Sequence, residues 1–381
     1  MPTDFSAGRA ELRGIYAEAQ RRGWTLETID PTNVGRLMEP FRSLLEKADG
    51  VIVRLGGALM DGVIVSLGIP VVGIDVSTAL SHDLWAALTA DETAIGEAAA
   101  RELAATGRRT LAFVPILKAY SWTDSRRDAF LRKVRDAGLD AIAYEPHTVW
   151  NWAEERDHLA RWLAELPRPF GVFAGNDFLA KLTLDACRSA GLAVPKDAAI
   201  LGADDDETLC LSSSTALSSV RIDFEGAGML AVSTLESFFD RKTKPARPKR
   251  VRYGVIGVAH RASTNAAWYA PDPRLAIALE FISLHARDPL VGVQDVADAM
   301  GASRRQADRI FASTGKSIRE RIEETRLDRA MTFLRTSTMT QREIAAKCGF
   351  ASETYLSRIF RRKFGRPPGK FRECRRRQAA P

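Results

Sequence analysis

Short apolar runs and amphipathic stretches alternate along the first two-thirds of the chain, and this alternation constrains the fold more than any other feature. The runs are rich in Val and Ile, as buried strands are, whereas apolar residues in the longer stretches recur every three or four positions, as in helices. Strands joined through helices pair in parallel, so the pattern predicts an α/β fold with parallel sheets. The predicted strands are Gly50–Arg54, Val71–Asp75, Thr110–Val114, Ala141–Tyr144, Phe170–Ala174 and Ala199–Gly202, and the predicted helices are Thr93–Thr106, Ser125–Ala137, Glu154–Leu166 and Asp177–Ala190.

The pattern changes after Pro273, where it predicts helices and no strand. Val293–Gly315 predicts a short helix, a turn at Gly301 and a second helix. Ser303, followed three residues later by Gln306, forms a capping-box pattern at the start of that second helix. Two short helices joined by a glycine-containing turn are typical of a helix-turn-helix unit.

The same plan recurs at Thr340–Gly365, with a capping-box pattern at Thr340 and Glu343 and a turn at Gly349. Between the two units, Ser317–Arg335 carries apolar residues at helical spacing, which predicts a connector helix that packs against both. Such a connector would hold two recognition helices at neighbouring major-groove segments, which repeat about every 34 Å along B-DNA. The last third is therefore predicted to be an all-α domain with two helix-turn-helix units.

The charge of the chain is concentrated in this last third. From Asp272 to Pro381 there are 23 Lys and Arg against 13 Asp and Glu, whereas the rest of the chain has 32 against 35. One basic domain beside a slightly acidic remainder is expected when only that domain meets a polyanion, although a membrane surface would also explain the charge. The basic segment Arg241–Arg252 is interpreted as a surface connection, with a DNA-binding arm as the alternative. Ala270–Pro273 marks a domain boundary.

Several classes of protein are disfavoured by what the sequence lacks. No apolar run has the length of a membrane span, and the N-terminus has no signal-peptide pattern, so we expect a cytoplasmic protein without membrane contact. The four cysteines have neither paired nor metal-ligand spacing, so we expect no metal site. There is no phosphate-binding glycine loop and no nucleophile elbow, so we expect neither an enzyme nor a cofactor.

The second helix-turn-helix unit resembles the AraC family of transcription regulators. The resemblance is carried by IAAKCGF at Ile344–Phe350 and by SETYLSRIFRRKFGRPPGKFR at Ser352–Arg372, and it covers about a hundred residues. It implies that the second helix of each unit reads base edges, with Arg suited to guanine and Glu to cytosine. The matching positions are Arg305, Asp308 and Arg309 in the first unit, and Glu353, Thr354, Ser357 and Arg358 in the second. A solvated helix face is the alternative for each of them.

The first two-thirds resembles the periplasmic-binding-protein-like sensor of the LacI family. Short motifs carry the resemblance in the expected order: SWTDSRRDAF at Ser121–Phe130, GNDFLA at Gly175–Ala180, ILGADDD at Ile200–Asp206 and GAGMLA at Gly226–Ala231. It implies a two-lobed α/β sensor with parallel sheets at residues 1–268, followed by the AraC-type DNA-binding domain at residues 269–376. The ligand contacts implied by the matching positions are Arg126, Asn176, Asp177 and Asp204, with Trp122 or Trp152 as a stacking face for a sugar.

Structural roles compete with ligand binding at several of these positions. Asn176 and Asp177 would serve equally well as caps of the helix that begins there. Arg126 has Asp124 and Asp128 nearby in sequence as surface partners. Asp204 follows a predicted strand, where binding carboxylates commonly lie.

The start of the chain departs from the sensor pattern. A helix-like segment, Ala10–Arg22, precedes a strand-like run at Trp24–Ile29, so the first strand of the sensor is missing from its expected place. Either the natural start lies upstream of the given sequence, or the N-terminal lobe is rebuilt and lacks its ligand contacts.

Together the two resemblances imply a DNA-binding transcription regulator that responds to a small sugar, with a pentose such as xylose as the expected effector. The expected partners are double-stranded operator DNA, the sugar and a second copy of the chain, with RNA polymerase as a further candidate. The alternative is a DNA-binding regulator whose degenerate sensor serves only for dimerisation.

Overall fold

A computed structural model of the protein describes residues 6–29, 43, 45, 47–54, 68–75, 84–115, 121–147, 151–213, 215–240, 243–264, 274–312, 317–336, 339–364 and 367–369. Its elements, in chain order, are α1 (Ser6–Arg21), β1 (Val51–Val53), β2 (Val71–Ile74), β3 (Ala86–Ala90), α2 (Glu92–Ala104), β4 (Thr110–Val114), α3 (Ser121–Asp136), β5 (Asp140–Ala143), α4 (Trp152–Glu165), β6 (Phe170–Ala174), α5 (Asp177–Ser189), β7 (Ala198–Ala203), α6 (Glu207–Leu211), β8 (Ser218–Ile222), α7 (Phe224–Glu236), β9 (Lys249–Tyr253), β10 (Val255–Ala259), α8 (Arg274–His285), α9 (Val293–Ala299), α10 (Arg304–Ala312), α11 (Ile318–Thr336), α12 (Gln341–Lys347) and α13 (Glu353–Phe364).

The chain divides into two compact units, one of residues 1–95 and 222–255 and one of residues 96–221 and 256–381. All six predicted strands and all four predicted helices of the α/β region form, with ends that differ from the prediction by up to four residues. The expected α/β fold with parallel sheets is therefore confirmed. The expected domain boundary at residues 268 and 269 lies outside the described residues and stays a prediction.

The first unit is built on a four-stranded parallel sheet in the order β1-β2-β3-β9. Helices α1 and α7 meet backbone to backbone beside this sheet. A Cβ atom at Gly14 would lie 2.0 Å from the carbonyl oxygen of Glu225, and one at Gly228 would lie 2.1 Å from that of Glu11. Only glycine permits two helices to approach this closely, so these two positions fix the place of α1.

Two expectations for the first unit are wrong. Trp24–Ile29 forms no strand, although half-buried and exposed residues alternate along most of it. Trp24 instead follows α1 directly, donating its N–H to the carbonyl of Ala19 and packing its ring 5.1 Å from that of Phe239. Part of the predicted basic connection is strand β9, which pairs with β3 along its whole length. Its basic residues lie on an edge strand, where charged side chains are commonly found.

The second unit contains a six-stranded sheet in the order β10-β8-β7-β6-β4-β5, with parallel pairing from β8 to β5. The rings of Phe113, Phe130 and Phe173 pack together with centroids 5.3–6.0 Å apart and are fully buried. Strand β8 escaped prediction because its first two residues are serines. Both are buried, and Ser218 donates its N–H to the side chain of Ser263 at 2.8 Å.

The helical region of the second unit has two separate cores that share the connector helix α11. Ile318 and Ile322 of α11 belong to the core of α8, α9 and α10, whereas Leu327, Ala330 and Leu334 belong to the core of α12 and α13. The described residues after 273 form helices and no strand, as predicted. Among the described residues, no helix is long and apolar enough to span a membrane.

Candidate functional site

The first candidate recognition helix is α10, which follows the turn of the first helix-turn-helix unit. The predicted capping box forms: Gln306 donates its N–H to Ser303 Oγ at 3.4 Å, and Gln306 Oε1 accepts the N–H of Ser303 at 3.0 Å. Phe311 is buried in the core below. The predicted base-reading residues Arg305, Asp308 and Arg309 are all exposed, so one face of α10 is free to approach DNA.

The second candidate recognition helix is α13, and its preceding helix α12 begins with the predicted capping box of Thr340 and Glu343. Buried on the inner face of α13 are Leu356, Ile359 and Phe360. The outer face carries the predicted base-reading residues. Glu353, Thr354 and Arg358 are exposed, whereas Ser357 is half-buried and donates to Gln341 Oε1 at 3.2 Å.

Aromatic stacking orients one of these side chains. The guanidinium of Arg358 lies 5.0 Å from the ring centroid of Tyr355, within the range of a cation–π contact. Such stacking restricts the side chain while leaving its donors available. The contact therefore restricts the exposed side chain of Arg358.

Two basic residues at the end of α13 have partners within the protein. Arg362 Nη2 lies 2.6 Å from Glu323 Oε2, and Lys363 Nζ lies 2.5 Å from Glu324 Oε1. Burial acts against the charge of Glu323, yet hydrogen bonds from Tyr355, Arg319 and Arg362 lower its pKa below the usual value. These ion pairs fasten α13 to the connector helix α11, so both basic residues have a structural role within the protein.

The candidate ligand site lies at the carboxyl ends of β6 and β7 in the second unit. Asn176 caps α5, because its Oδ1 accepts the N–H of Leu179 at 3.0 Å. The structural alternative for Asn176 is thus realised, although the residue is only half-buried. The capping bond also fixes the side chain at the edge where a ligand would bind.

Asp177 faces inward and is only 1% exposed. Its Oδ1 accepts from Ser219 Oγ at 2.6 Å, and its Oδ2 accepts the N–H of Asp206 at 2.7 Å. A Cβ at Gly202 would lie 2.1 Å from its Oδ1, so the glycine makes room for this carboxyl group. Asp177 therefore joins the turn after β7 to the first residues of β8.

The burial of Asp177 changes its acidity. Burial raises its pKa well above the usual value, and the negative charge of neighbouring Asp204 raises it further. The hydrogen bonds from Ser219 and Asp206 oppose this rise without cancelling it. The proton is therefore held more tightly in the folded protein than in the unfolded chain.

The turn after β7 is backbone-strained at two aspartates. Asp204 has φ +104° and Asp205 has φ +56°, in the left-handed region that residues other than glycine seldom adopt. Arg261 and Arg221 hold the Asp205 carboxylate at 2.7 and 3.2 Å. Strain kept in place by surrounding contacts is frequent at functional sites, and half-buried Asp204 lies at its centre.

Arg126 is buried, with 3% of its surface exposed, and donates to the carbonyl of Gly175 just before the cap of α5. The alternative that it pairs with Asp124 or Asp128 is wrong. Arg127 makes both of those ion pairs, each at 3.0 Å. Arg126 therefore positions the loop between β6 and α5.

An exposed aromatic pair stands at the starts of α4 and α5. The rings of Trp152 and Phe178 meet edge to face with centroids 4.9 Å apart, and the two residues are 42% and 44% exposed. Phe178 was missed by the sequence analysis, although it follows Asp177 directly. Trp122 lies in the first turn of α3, and its side chain lies outside the described residues.

The first unit has a polar cluster of its own at the carboxyl ends of β1, β2 and β9, which sequence analysis also missed. Asp75 Oδ2 accepts from Arg54 at 2.9 Å and from the hydroxyl of Tyr253 at 2.5 Å. The fully buried Glu11 of α1 lies 3.3 Å from Arg54. Burial raises the pKa of Tyr253, and so does the charge of Asp75. These residues lie far apart in the sequence, so no local motif announces them.

Comparisons with known protein families match both regions. A periplasmic binding protein-like domain matches residues 100–264, and a helix-turn-helix domain matches residues 296–373. The chain is 26% identical to the xylose operon regulatory protein of Escherichia coli strain K12, over 97% of this chain and 95% of that protein. It is 28% identical to the protein of the same name from Haemophilus influenzae, over 75% of this chain and 74% of that protein. These relatives are regulators by name, not enzymes.

Solved structures support the fold. The structure of a xylose-binding transcription activator matches with a TM-score of 0.59 and 24% identity, over 98% of this chain and 96% of that one. A LacI family transcriptional regulator from Enterococcus faecium with bound ribose matches with a TM-score of 0.54 and 19% identity, over 69% of this chain and 96% of that one. At these identities, the two structures establish the shared fold.

Proposed function

Since the chain is an AraC-type DNA-binding transcription regulator with a periplasmic-binding-protein-like sensor, we propose that it changes transcription in response to a small sugar, most specifically a pentose such as xylose. The observation that carries the proposal is the joining of these two domains in one chain, together with a match to the xylose operon regulatory protein of Escherichia coli that spans 97% of this chain and 95% of that protein. The proposed domains are residues 1–268 for the sensor and 269–376 for DNA binding.

The carboxyl edge of the second-unit sheet has the chemistry that a sugar requires. Asn176 and Asp204 offer polar groups for hydroxyls, and the Trp152–Phe178 pair offers an aromatic surface for the C–H face of the ring. Arg126 and Asp177 stabilise this edge through hydrogen bonds. Arg126 donates to the Gly175 carbonyl, and Asp177 accepts from Ser219. We therefore assign ligand contact to Asn176, Asp204 and the aromatic pair, and positioning to Arg126 and Asp177.

DNA recognition is assigned to α10 and α13. Exposed Arg305, Arg309 and Arg358 suit guanine, and Glu353 can accept from cytosine. Asp308 is in a weaker position to read bases, because Arg304 Nε lies 3.9 Å from its carboxylate. Thr354 and Ser357 are the remaining residues of α13 assigned to base reading. The side chain of Ser357 is held in place by its hydrogen bond to Gln341.

The proposal extends to partners and location. A homodimer would place two DNA-binding domains on paired half-sites, and a DNA-bound regulator is positioned to contact RNA polymerase. Such a protein works in the cytoplasm, where bacterial DNA lies. The alternative of a degenerate sensor used only for dimerisation is less favoured, because the carboxyl edge of the second unit keeps an ordered polar and aromatic surface.

Thermal unfolding of the purified protein against pentoses, hexoses and sugar alcohols tests the proposal. A ligand that binds only the folded state raises stability by RT ln(1 + [L]/Kd), which is about 2.7 kcal/mol at a hundredfold excess over Kd. We expect a shift with a pentose that is lost in Asp204→Asn, since Asn tolerates the left-handed backbone found there. Asp157→Asn, a surface change on α4, should keep the full shift. No shift with any sugar would contradict the sensor function.

A further inference from the structure

The carboxyl end of α8 is the place where the two helix-turn-helix units meet the connector helix. Arg326 of α11 is 8% exposed and lies between Ile322, in the first core, and Leu327, in the second. Its Nε donates to the carbonyl of Ala286 at 2.7 Å, and its Nη2 donates to those of Asp288 at 2.8 Å and Val291 at 3.0 Å. One buried side chain thus satisfies three carbonyl groups of the loop between α8 and α9.

The second helix-turn-helix unit reaches the same point through its turn. Gly349 has φ +80°, and a Cβ atom there would lie 2.3 Å from the Ala286 carbonyl oxygen and 2.8 Å from that of Arg287. The turn therefore rests directly on the backbone at the end of α8. Arg329 adds a further link by donating to the carbonyl of Ser283 at 2.6 Å.

The corresponding glycine of the first helix-turn-helix unit has no such contact within the part of the chain that the structure describes. Gly301 has φ +60°, and a Cβ atom there would meet nothing within 4 Å among the described residues. Both glycines serve the turn of their own unit, which favours a positive φ. Of these two glycines, Gly349 is the one whose described contacts also join the second helix-turn-helix unit to the first.

The candidate recognition helix of the second unit is itself fastened to the connector. Glu323 accepts from the Tyr355 hydroxyl at 2.6 Å and from Arg362 at 2.6 Å, and its side chain is 8% exposed. The position of α13 is thus set by α11, and the position of α11 is set at the end of α8.

We propose that Arg326, Arg329 and Gly349 are positioning residues that fix the number of base pairs between the two DNA segments read by one protomer. The inference rests on the DNA-binding function and concerns the spacing of the operator, not its base sequence. Neighbouring major-groove segments lie one helical turn apart, about 10–10.5 base pairs. One added base pair turns the second segment by roughly a tenth of a turn and moves it along the axis. The described contacts at the end of α8 hold the two helix-turn-helix units together, so they oppose that movement.

The test starts from the full-length protein and a pool of random-sequence duplexes. Repeated selection yields a bound sequence, and hydroxyl-radical footprinting then locates the two segments that one protomer protects. Affinity is measured for this sequence and for versions with one base pair added or removed between the segments. We expect either change to weaken binding of the natural protein at least tenfold.

Two variants are then measured on the same DNA set. Arg326→Lys keeps the charge but loses the fork that reaches three carbonyls, and Gly349→Ala forces the turn away from α8. We expect the spacing penalty to fall below threefold in both, with unchanged preference for bases within each segment. Gly301→Ala is the matched control, because it adds the same methyl group at a positive φ without a clash, and it should keep the full penalty.

Each outcome decides between accounts. If the natural protein tolerates an added base pair, the two units bind independently and the inference is wrong. If Arg326→Lys keeps the full penalty while remaining folded by circular dichroism, the end of α8 does not set the spacing. That variant retains a long cationic side chain, so the test stands even if Gly349→Ala fails to fold. If no sequence is enriched at all, the DNA-binding function itself fails, which is a different result from binding without spacing preference.

Discussion

At the scale of single residues, surroundings decide what each carboxylate does. Asp177 and Asp204 both follow strands of the same sheet at its carboxyl edge, but Asp177 is enclosed by Ser219, Asp206 and Gly202, whereas Asp204 is half-buried in a strained turn. The two acids lie close enough for the charge of one to raise the pKa of the other. One carboxyl group thus supports the turn from which the other is presented.

The raised pKa of Asp177 predicts how stability depends on pH. Because the folded protein holds this proton more tightly, the group favours folding most below the pKa of an unfolded Asp, about 3.9, and this contribution is lost as pH rises through the raised pKa. Asp177→Asn resembles the protonated form and can keep both hydrogen bonds, with its amide donating to Ser219. We expect the melting temperature of Asp177→Asn, relative to that of the natural protein, to increase by several degrees as pH rises from 4 to 7.

The control for this prediction is Asp185→Asn, which lies on the same helix and pairs at the surface with Lys181 at 3.0 Å. It should show no such gain across the same pH range. If Asp177→Asn loses stability equally at every pH, the natural carboxyl group is ionised in the folded protein and the account of its burial is wrong.

Residue roles were only partly predictable from the sequence. The capping boxes at Ser303 and Thr340 were predicted because their hydrogen bonds join residues three apart. The inward orientation of Asp177 was not, because it depends on Ser219, which lies on β8 at a distance of 42 residues along the chain. The polar cluster of Asp75 and Arg54 was also not predictable, because Asp75 accepts a hydrogen bond from Tyr253, which lies 178 residues farther along the chain.

At the scale of elements, the recognition helices divide their residues between a core face and a reading face. Arg309 and Arg358 lie on the exposed faces of α10 and α13, and Arg362 lies farther along α13 in an ion pair with Glu323. Three arginines of similar chemistry are therefore expected to behave differently toward DNA.

We predict that Arg309→Ala or Arg358→Ala weakens binding to the selected operator by about 1–3 kcal/mol and relaxes the preference at one base position. Binding to random DNA should change much less. Arg362→Ala should leave the base preference unchanged and instead lower the melting temperature, since it removes a hydrogen bond to a buried carboxylate. Affinity measured on both DNAs at several salt concentrations separates these results. Equal loss on operator and random DNA would make Arg309 or Arg358 a phosphate contact.

The contact between α1 and α7 gives a second prediction at this scale. Gly228→Ala places a methyl group about 2 Å from the Glu11 carbonyl oxygen, so one helix must shift. We expect a loss of stability of about 1–3 kcal/mol, the usual effect of overpacking, measured by denaturant unfolding. Gly254→Ala is the control, because nothing lies within 4 Å of a Cβ there among the described residues. Equal stability of the two variants would mean that α1 does not dock on α7.

Elements with one strong local pattern were predicted well, and those that depend on tertiary pairing were not. Apolar residues dominate both Thr110–Val114 and Phe170–Ala174, and the bounds of these strands were predicted without error. Strands β8 and β9 contain serines and basic residues that a local pattern assigns to loops. They are strands because a neighbouring strand supplies their hydrogen bonds, and that information is absent from a window of a few residues.

At the scale of the whole molecule, the DNA-binding region and the sensor region differ in net charge. The last third, from Asp272, carries the excess of basic residues, and the rest of the chain is slightly acidic. A sugar held by the sensor alters DNA binding only if it binds one conformational state more tightly than another. A tenfold change in DNA affinity requires a differential affinity of about 1.4 kcal/mol, which a few hydrogen bonds to hydroxyls supply.

Affinity for the selected operator, measured by fluorescence anisotropy with and without saturating D-xylose, tests the central claim most directly. The account predicts at least a tenfold change in Kd for the natural protein. It also predicts that Asp204→Asn binds the operator as the natural protein does without sugar and no longer responds to it. An operator affinity that stays the same with xylose and with every other pentose, in a protein that binds DNA normally, would contradict the account.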